Sequence, residues 1–230
     1  MGRFLAAVGR FDPGWLVSTP LSSSDLTGGA DFPVTAWGLA YCLGNRLESI
    51  RVPRVLEMPN EFARLAEIKT DMALFYLHEQ SELASPRLVQ PFVRREAGLN
   101  WAFCHMGTIR QPERLIRPTR APDSSDKSEL FFMHLIDHFV PGDPIESIQS
   151  LLSQLTDEPE LSFVMMSPEM MVVTHWVKDA AQDSFKLWLG KSELLRIFTS
   201  FPPFEITGVD WSELANHSVT VIFRERRSVS

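Results

Sequence analysis

Two stretches carry the residues with the clearest capacity for chemistry. They are Val89-Gln90-Pro91-Phe92-Val93 and Leu99-Asn100-Trp101-Ala102-Phe103-Cys104-His105-Met106-Gly107-Thr108-Ile109. Cys104 and His105 form an adjacent thiol and imidazole, the ingredients of nucleophilic catalysis. On a strand, however, neighbouring side chains point to opposite faces, so the two cannot meet, and Cys104 reads as a core cysteine. His134 and His138 are four apart, a helical spacing compatible with a metal ion. Only Asp137 accompanies them, and it points elsewhere on the helix, so a partly exposed helix face is expected and no metal. The chain has no Gly-x-Gly-x-x-Gly, no phosphate-binding P-loop and no Cys-x-x-Cys, and no cofactor is expected.

These residues need a scaffold, and the composition allows one sizeable domain over residues 1–230. The net charge of −7 argues against broad binding to nucleic acid or to an anionic membrane. The dense basic run Arg224-Glu225-Arg226-Arg227 reads as a solvated tail. Cys42 and Cys104 both sit in apolar runs, which suggests a reducing compartment and no disulfide framework. No signal peptide is read at the start, and no apolar run approaches the roughly 18 residues of a membrane span. Met1-Gly2 has Ala6 where myristoylation wants Ser or Thr. A cytoplasmic location is expected.

The elements follow from periodicity and punctuation. Strands are expected at 3–8, 36–43, 47–52, 72–78, 101–105, 162–166, 170–176, 185–189 and 218–223. Gly44-Asn45 makes a hairpin turn. Residues 13–33 are rich in Ser, Gly and Pro and read as loop with one helical turn at most, and 112–125 is a second loop. Asn60 is a candidate N-cap for a helix over 61–69. Asp126 and Glu129 have capping-box spacing for a helix over 126–139. Asp143-Pro144-Ile145-Glu146 opens another that runs to about Thr156. Residues 192–198 are ambiguous. Met165, Met166, Met170 and Met171 flank Ser167-Pro168 and read as two strands joined by a tight turn, with a Met-rich contact surface as the alternative. Strands, two adjacent helices, then strands give an α+β layered domain.

Several short motifs occur in the order found in one family. The first stretch with His105-Met106-Gly107 resembles its "H-P-F … W-x-F-x-H-N-G" signature. Met1-Gly2-Arg3-Phe4-Leu5-Ala6 is similar to its "M-C-R-L/F" start, and Thr35-Ala36-Trp37-Gly38-Leu39-Ala40-Tyr41 to "D-G-W-G-I-A-Y". Phe75-Tyr76-Leu77-His78-Glu79-Gln80 resembles "H-x-R", Asp126-Lys127-Ser128-Glu129-Leu130-Phe131-Phe132 resembles "T-D-S-E-x-x-F", and Trp211-Ser212-Glu213-Leu214 resembles "W-x-x-L/I-P". The chain thus resembles the class II glutamine amidotransferases. The resemblance implies a four-layer αββα sandwich of the N-terminal nucleophile hydrolase type, with two stacked, mainly antiparallel sheets flanked by helices. It also implies release of ammonia from glutamine by a cysteine placed at residue 2.

This chain departs from the family at each position that would do that work. Gly2 offers no nucleophile; a glycine after the initiator is also what a cloning scar leaves, and the residue alone keeps that alternative open. Gln80 stands where the family has the arginine that grips the substrate carboxylate, and a neutral amide cannot replace a two-pronged charged contact. Met106 stands where an Asn would stabilise the oxyanion, so only the backbone N–H of Gly107 persists there. Lys127 aligns with the Asp that binds the substrate ammonium, and Gln90 with the His of "H-P-F". The expected pocket therefore comprises Gln80, Gln90, His105, Met106, Gly107 and Lys127, with Gly2, Met106 and Gly107 as degenerate catalytic positions. The expectation is a catalytically silent domain kept for a small anionic ligand lacking an ammonium, or for a partner enzyme. An active glutaminase with an artificial Gly2, and a pure protein-interaction module, are the alternatives. Oligomeric state is left open.

Overall fold

A computed structural model describes residues 2–16, 36–53, 65, 67–78, 86–96, 98–111, 126–155, 160–178, 186–201 and 203–225. Twelve strands are described: β1 (Gly2–Gly9), β2 (Ala36–Leu43), β3 (Arg46–Val52), β4 (Met72–His78), β5 (Phe92–Glu96), β6 (Leu99–Met106), β7 (Ser162–Met166), β8 (Met170–His175), β9 (Trp188–Lys191), β10 (Leu195–Thr199), β11 (Asp210–Glu213) and β12 (Ser218–Phe223). Helices α1 (Lys127–His138) and α2 (Pro144–Gln154) separate β6 from β7. The strands form a seven-stranded sheet, β11-β9-β10-β1-β4-β2-β3, and a five-stranded sheet, β12-β8-β7-β6-β5. Every strand pair in them is antiparallel.

The near-continuous apolar character of β1, β4, β7 and β8 arises because both faces of each are covered. In β1, Phe4 and Ala6 enter the core between the sheets, whereas Leu5 and Ala7 pack with Leu16, Trp37, Leu65 and Phe75 on the outer side of the first sheet. On the second sheet, Ala102, Cys104, Val164 and Val173 face inward, and Phe103, Phe163 and Val172 face the helices. Phe131 and Phe132 of α1 meet them, Phe132 stacking on Phe103 at 4.7 Å between centroids. The result is the expected layered sandwich.

Asp126 caps α1, its carboxylate accepting from the N–H groups of Ser128 and Glu129. Glu129 is buried and forms an ion pair with Arg94 of edge strand β5 at 2.7 Å. An inward-pointing charged pair on an edge strand also discourages pairing with another chain. Arg94→Met should destabilise the fold by about 2–3 kcal/mol, since it takes from the buried Glu129 carboxylate its ion-pair partner. Arg94→Met/Glu129→Leu should recover most of that loss, as read by urea denaturation.

Some expectations need correction. Met165, Met166, Met170 and Met171 end β7 and open β8, the two strands joined by a tight turn that they were read as. All four are buried, dividing between the two cores, so it is the alternative of a contact surface that falls. Arg224 is no free tail, because Asp71 takes its guanidinium at 2.7 Å and the Gly44 carbonyl accepts from it too. Strands β5, β10 and β11 go beyond the expected set; β11, Asp-Trp-Ser-Glu, is a short edge strand without apolar alternation, defined by its pairing with β9. Helix α2 ends at Gln154, short of Thr156. The helix expected over 61–69 lies mostly outside the described residues, and although Leu65 is helical, 67–70 are not. The loop expected at 112–125 also lies outside them. Among the described residues no helix is long and apolar enough to cross a membrane.

Candidate functional site

Gly2 opens β1 and is the register partner of His78, the last residue of β4, which also pairs with Ala36 at the start of β2. Strand alternation puts Tyr76 and His78 on one face. The Tyr76 phenol crosses the core and donates to the His105 carbonyl of β6 at 3.0 Å. A Cβ on residue 2 would lie 2.0 Å from Tyr76 Oη. The phenol thus occupies the volume that any side chain at position 2 would need.

Around this contact runs a chain of buried polar groups. His78 packs edge-on to Tyr76 at 4.7 Å, and its Nε2 accepts from the backbone N–H of Gln90 at 2.9 Å. The Gln90 side-chain oxygen accepts from the His105 N–H at 2.7 Å. The Gln90–Pro91 peptide is cis. The Gln90 carbonyl approaches Gly38 so closely that a Cβ there would meet it at 2.1 Å, which accounts for the glycine of Trp37-Gly38. Burial pushes the His78 imidazole down to about 4, so its ring is neutral at pH 7.

The His105 side chain lies on the other face of its sheet, stacked on Phe103 and edge-on to Phe131. Its Nε2 lies 3.4 Å from the Glu160 carbonyl and its Nδ1 3.2 Å from Ser128 Oγ. A carbonyl can only accept, so the neutral tautomer that satisfies both carries its proton on Nε2 and accepts the Ser128 hydroxyl at Nδ1. Burial lowers this imidazole also to about 4, against the hydrogen bond to Glu160, which raises it.

Gly2 and the His105 backbone meet through the Tyr76 phenol, and Gln90 joins them through the His105 N–H. Met106 is buried in the core between the sheets. Gly107 has φ of +121°, and a Cβ on it would lie 2.6 Å from the Glu160 carbonyl, so the turn requires glycine. Lys127 begins α1 and is exposed. Its neighbour Asp126 spends its carboxylate on the helix cap, and burial raises its pKa against those hydrogen bonds. Gln80 lies outside the described residues.

No thiolate is at hand here. Cys104 points into the inter-sheet core, away from the His105 ring, and burial raises its pKa well above the usual thiol range. Burial pushes Cys42 up to about 12. A Ser162 hydroxyl 3.0 Å from His175 Nδ1, beside Met106, is fully buried. His134 and His138 sit on the α1 surface with rings 4.4 Å apart, and no cluster of three metal-ligating side chains occurs among the described residues. Sequence reasoning missed Tyr76 and His78 as site residues. The signal was the two-residue spacing of two polar rings in an otherwise apolar strand.

The stacked antiparallel sheets, with helices outside them, have the fold of the class II glutamine amidotransferases. Solved structures with this fold include the glutamine phosphoribosylpyrophosphate amidotransferase from B. subtilis (TM-score 0.65, 19% identity), over 87% of this chain and 42% of that one. The chain therefore spans less than half of that enzyme's length. Similarity extends over nearly the whole of two shorter proteins. A glutamine aminotransferase class-II domain protein from Silicibacter pomeroyi gives a TM-score of 0.61 at 13% identity, covering 96% of this chain and 94% of its own. A predicted glutamine amidotransferase from Pseudomonas aeruginosa gives 0.58 at 15%, covering 100% and 95%. No protein-family model and no curated protein matches the chain.

Proposed function

We propose that this chain is a catalytically silent glutamine amidotransferase-like domain, kept for binding a small anion or regulating a partner enzyme. The observation that supports this most is the Tyr76 phenol packed against Gly2 and bonded to the His105 carbonyl. A fold built around a nucleophile at residue 2 must leave room for it, and here an aromatic ring fills that room. Met106 in place of an oxyanion donor supports the same reading, since such a donor contributes on the order of 100- to 1,000-fold in rate. No carboxylate stands at position 127 to hold a ligand ammonium, and that of Asp126 beside it is taken up by the helix cap. A cytoplasmic setting fits the two free, buried cysteines.

The test is ammonia release from glutamine by the purified chain, with calorimetric titration of glutamine and glutarate. No release above the non-enzymatic rate is expected, and no glutamine affinity tighter than that for the dicarboxylate. Steady turnover would refute the silent reading, and tight glutamine binding would refute the ligand class.

A further inference from the structure

Each sheet ends in two edge strands, and three of these four edges carry charge. Strand β3 has Arg46, Glu48 and Arg51, β5 has Arg94, Arg95 and Glu96, and β11 has Asp210 and Glu213. Such charges discourage pairing with another chain. Strand β12, Ser-Val-Thr-Val-Ile-Phe, has neither a charge nor a proline, and among the described residues it pairs with β8 alone. It is at least part-exposed along its length, whereas β8 beside it is buried throughout. Phe223 at its end is 62% exposed, the most of any large hydrophobic side chain among the described residues. We propose that β12 is a dimerisation edge, pairing antiparallel with β12 of a second copy of this chain.

The ladder to β8 fixes which backbone groups face outward. The Arg224 N–H donates to the Glu169 carbonyl at 2.8 Å, one step beyond the Phe223–Met170 pair. Alternation then turns the backbone groups of Ser218, Thr220 and Ile222 toward β8, and those of Val219, Val221 and Phe223 outward. Val221 is the middle one of these three. With Val221 opposite Val221 of the copy, Val219 faces Phe223, and every outward residue exchanges both its backbone bonds. This register sets Phe223 beside a β-branched side chain, a favourable cross-strand pair. It also puts Glu225 against His217 and Arg224 against Ser218, so no like charges fall opposite one another. Helix α2, which packs over β12, has Glu146 as its one charged residue and exposes Gln149, Ser150, Ser153 and Gln154. The helix flanking the joint thus sets little charge against its counterpart. A two-fold pairing of like edges closes, uniting the two five-stranded sheets and leaving no uncharged edge among the described strands of the dimer. That self-complementarity favours a second copy over a foreign strand.

Sedimentation velocity of the full chain at about 100 µM tests this, and a dimer is expected. Val221→Pro removes an outward N–H and spares the ladder to β8, a placement that edge strands tolerate. Phe223→Glu alters an exposed side chain, so that variant should fold. Each should weaken the dimer by about 10-fold or more, through a lost backbone bond or a carboxylate set against Val219. Leu43→Glu, at another exposed apolar position on the other sheet, should leave it unchanged. Amide hydrogen exchange locates the joint: the N–H groups of Val219, Val221 and Phe223 should exchange slowly in the dimer and fast in Phe223→Glu. The proposal is overturned by a monomer at that concentration, by an open-ended assembly, or by a folded Phe223→Glu variant that dimerises undiminished. Fast exchange of those three amides in the dimer overturns it too. None of these outcomes depends on whether the chain hydrolyses glutamine.

Discussion

Acidification from pH 7 to about pH 4 is expected to remove most of the folding stability of this domain. His78 and His105 are both buried, and burial lowers each to about 4 from an ordinary value near 6.5. The folded state therefore favours the neutral rings, while the unfolded chain takes up protons at higher pH. The stability from each neutral ring is complete above about pH 6.5 and is lost as pH falls toward 4. Each histidine contributes on the order of 3 kcal/mol across that window. Together they approach the 5–15 kcal/mol typical of a whole domain. His175, lowered by burial, adds in the same direction, and the raised Asp126 carboxyl opposes it. Urea denaturation at pH 7, 5.5 and 4.5 measures the slope. It should flatten by about half in His78→Gln, which retains a side-chain acceptor for the Gln90 N–H. A stability unchanged between pH 7 and pH 4.5 would show that these imidazoles are not held neutral.

Restoring the family's cysteine should fail to restore its chemistry. In Gly2→Cys the new Cβ falls 2.0 Å from Tyr76 Oη, so the ring must leave and its bond to the His105 carbonyl must break. Overpacking and the lost hydrogen bond together cost about 2–3 kcal/mol. Gly2→Ala should cost about the same, because the clash begins at Cβ and not at sulfur. Ammonia release from glutamine should stay at background in Gly2→Cys. It should stay there in Gly2→Cys/Tyr76→Ala as well, where the ring is gone but Met106 still supplies no oxyanion donor. Turnover by either variant would mean that the machinery is intact apart from residue 2, and the silent reading would fall.

Much of the architecture was legible because local rules and tertiary demands agree. The runs 36–43, 72–78, 162–166 and 218–223 are strands in the structure over those bounds, and Asp126 and Asp143 cap the two helices as their positions imply. Motif order pointed to the fold from residues spread over the whole chain. Strand alternation separated the Cys104 thiol from the His105 ring. Edge elements were not legible in this way. Asp210–Glu213 is a strand through its pairing with β9, and the inward Arg94 of β5 meets Glu129, 35 residues away in sequence.

By itself the sequence determined which residue types stand at the family's working positions: Gly2 without a nucleophile, Met106 without a donor, Lys127 in place of a carboxylate. Such identities are local, and no packing can change them. Only the tertiary structure decided what fills the vacated volume and which of these residues meet. Tyr76 is 74 residues from Gly2 in sequence and His105 another 29 beyond, yet sheet register and the stacking of two sheets bring all three into one contact. Lys127, by contrast, ends on the exposed start of a helix. Side-chain chemistry is written residue by residue, whereas the space around each side chain is set by partners distant in sequence.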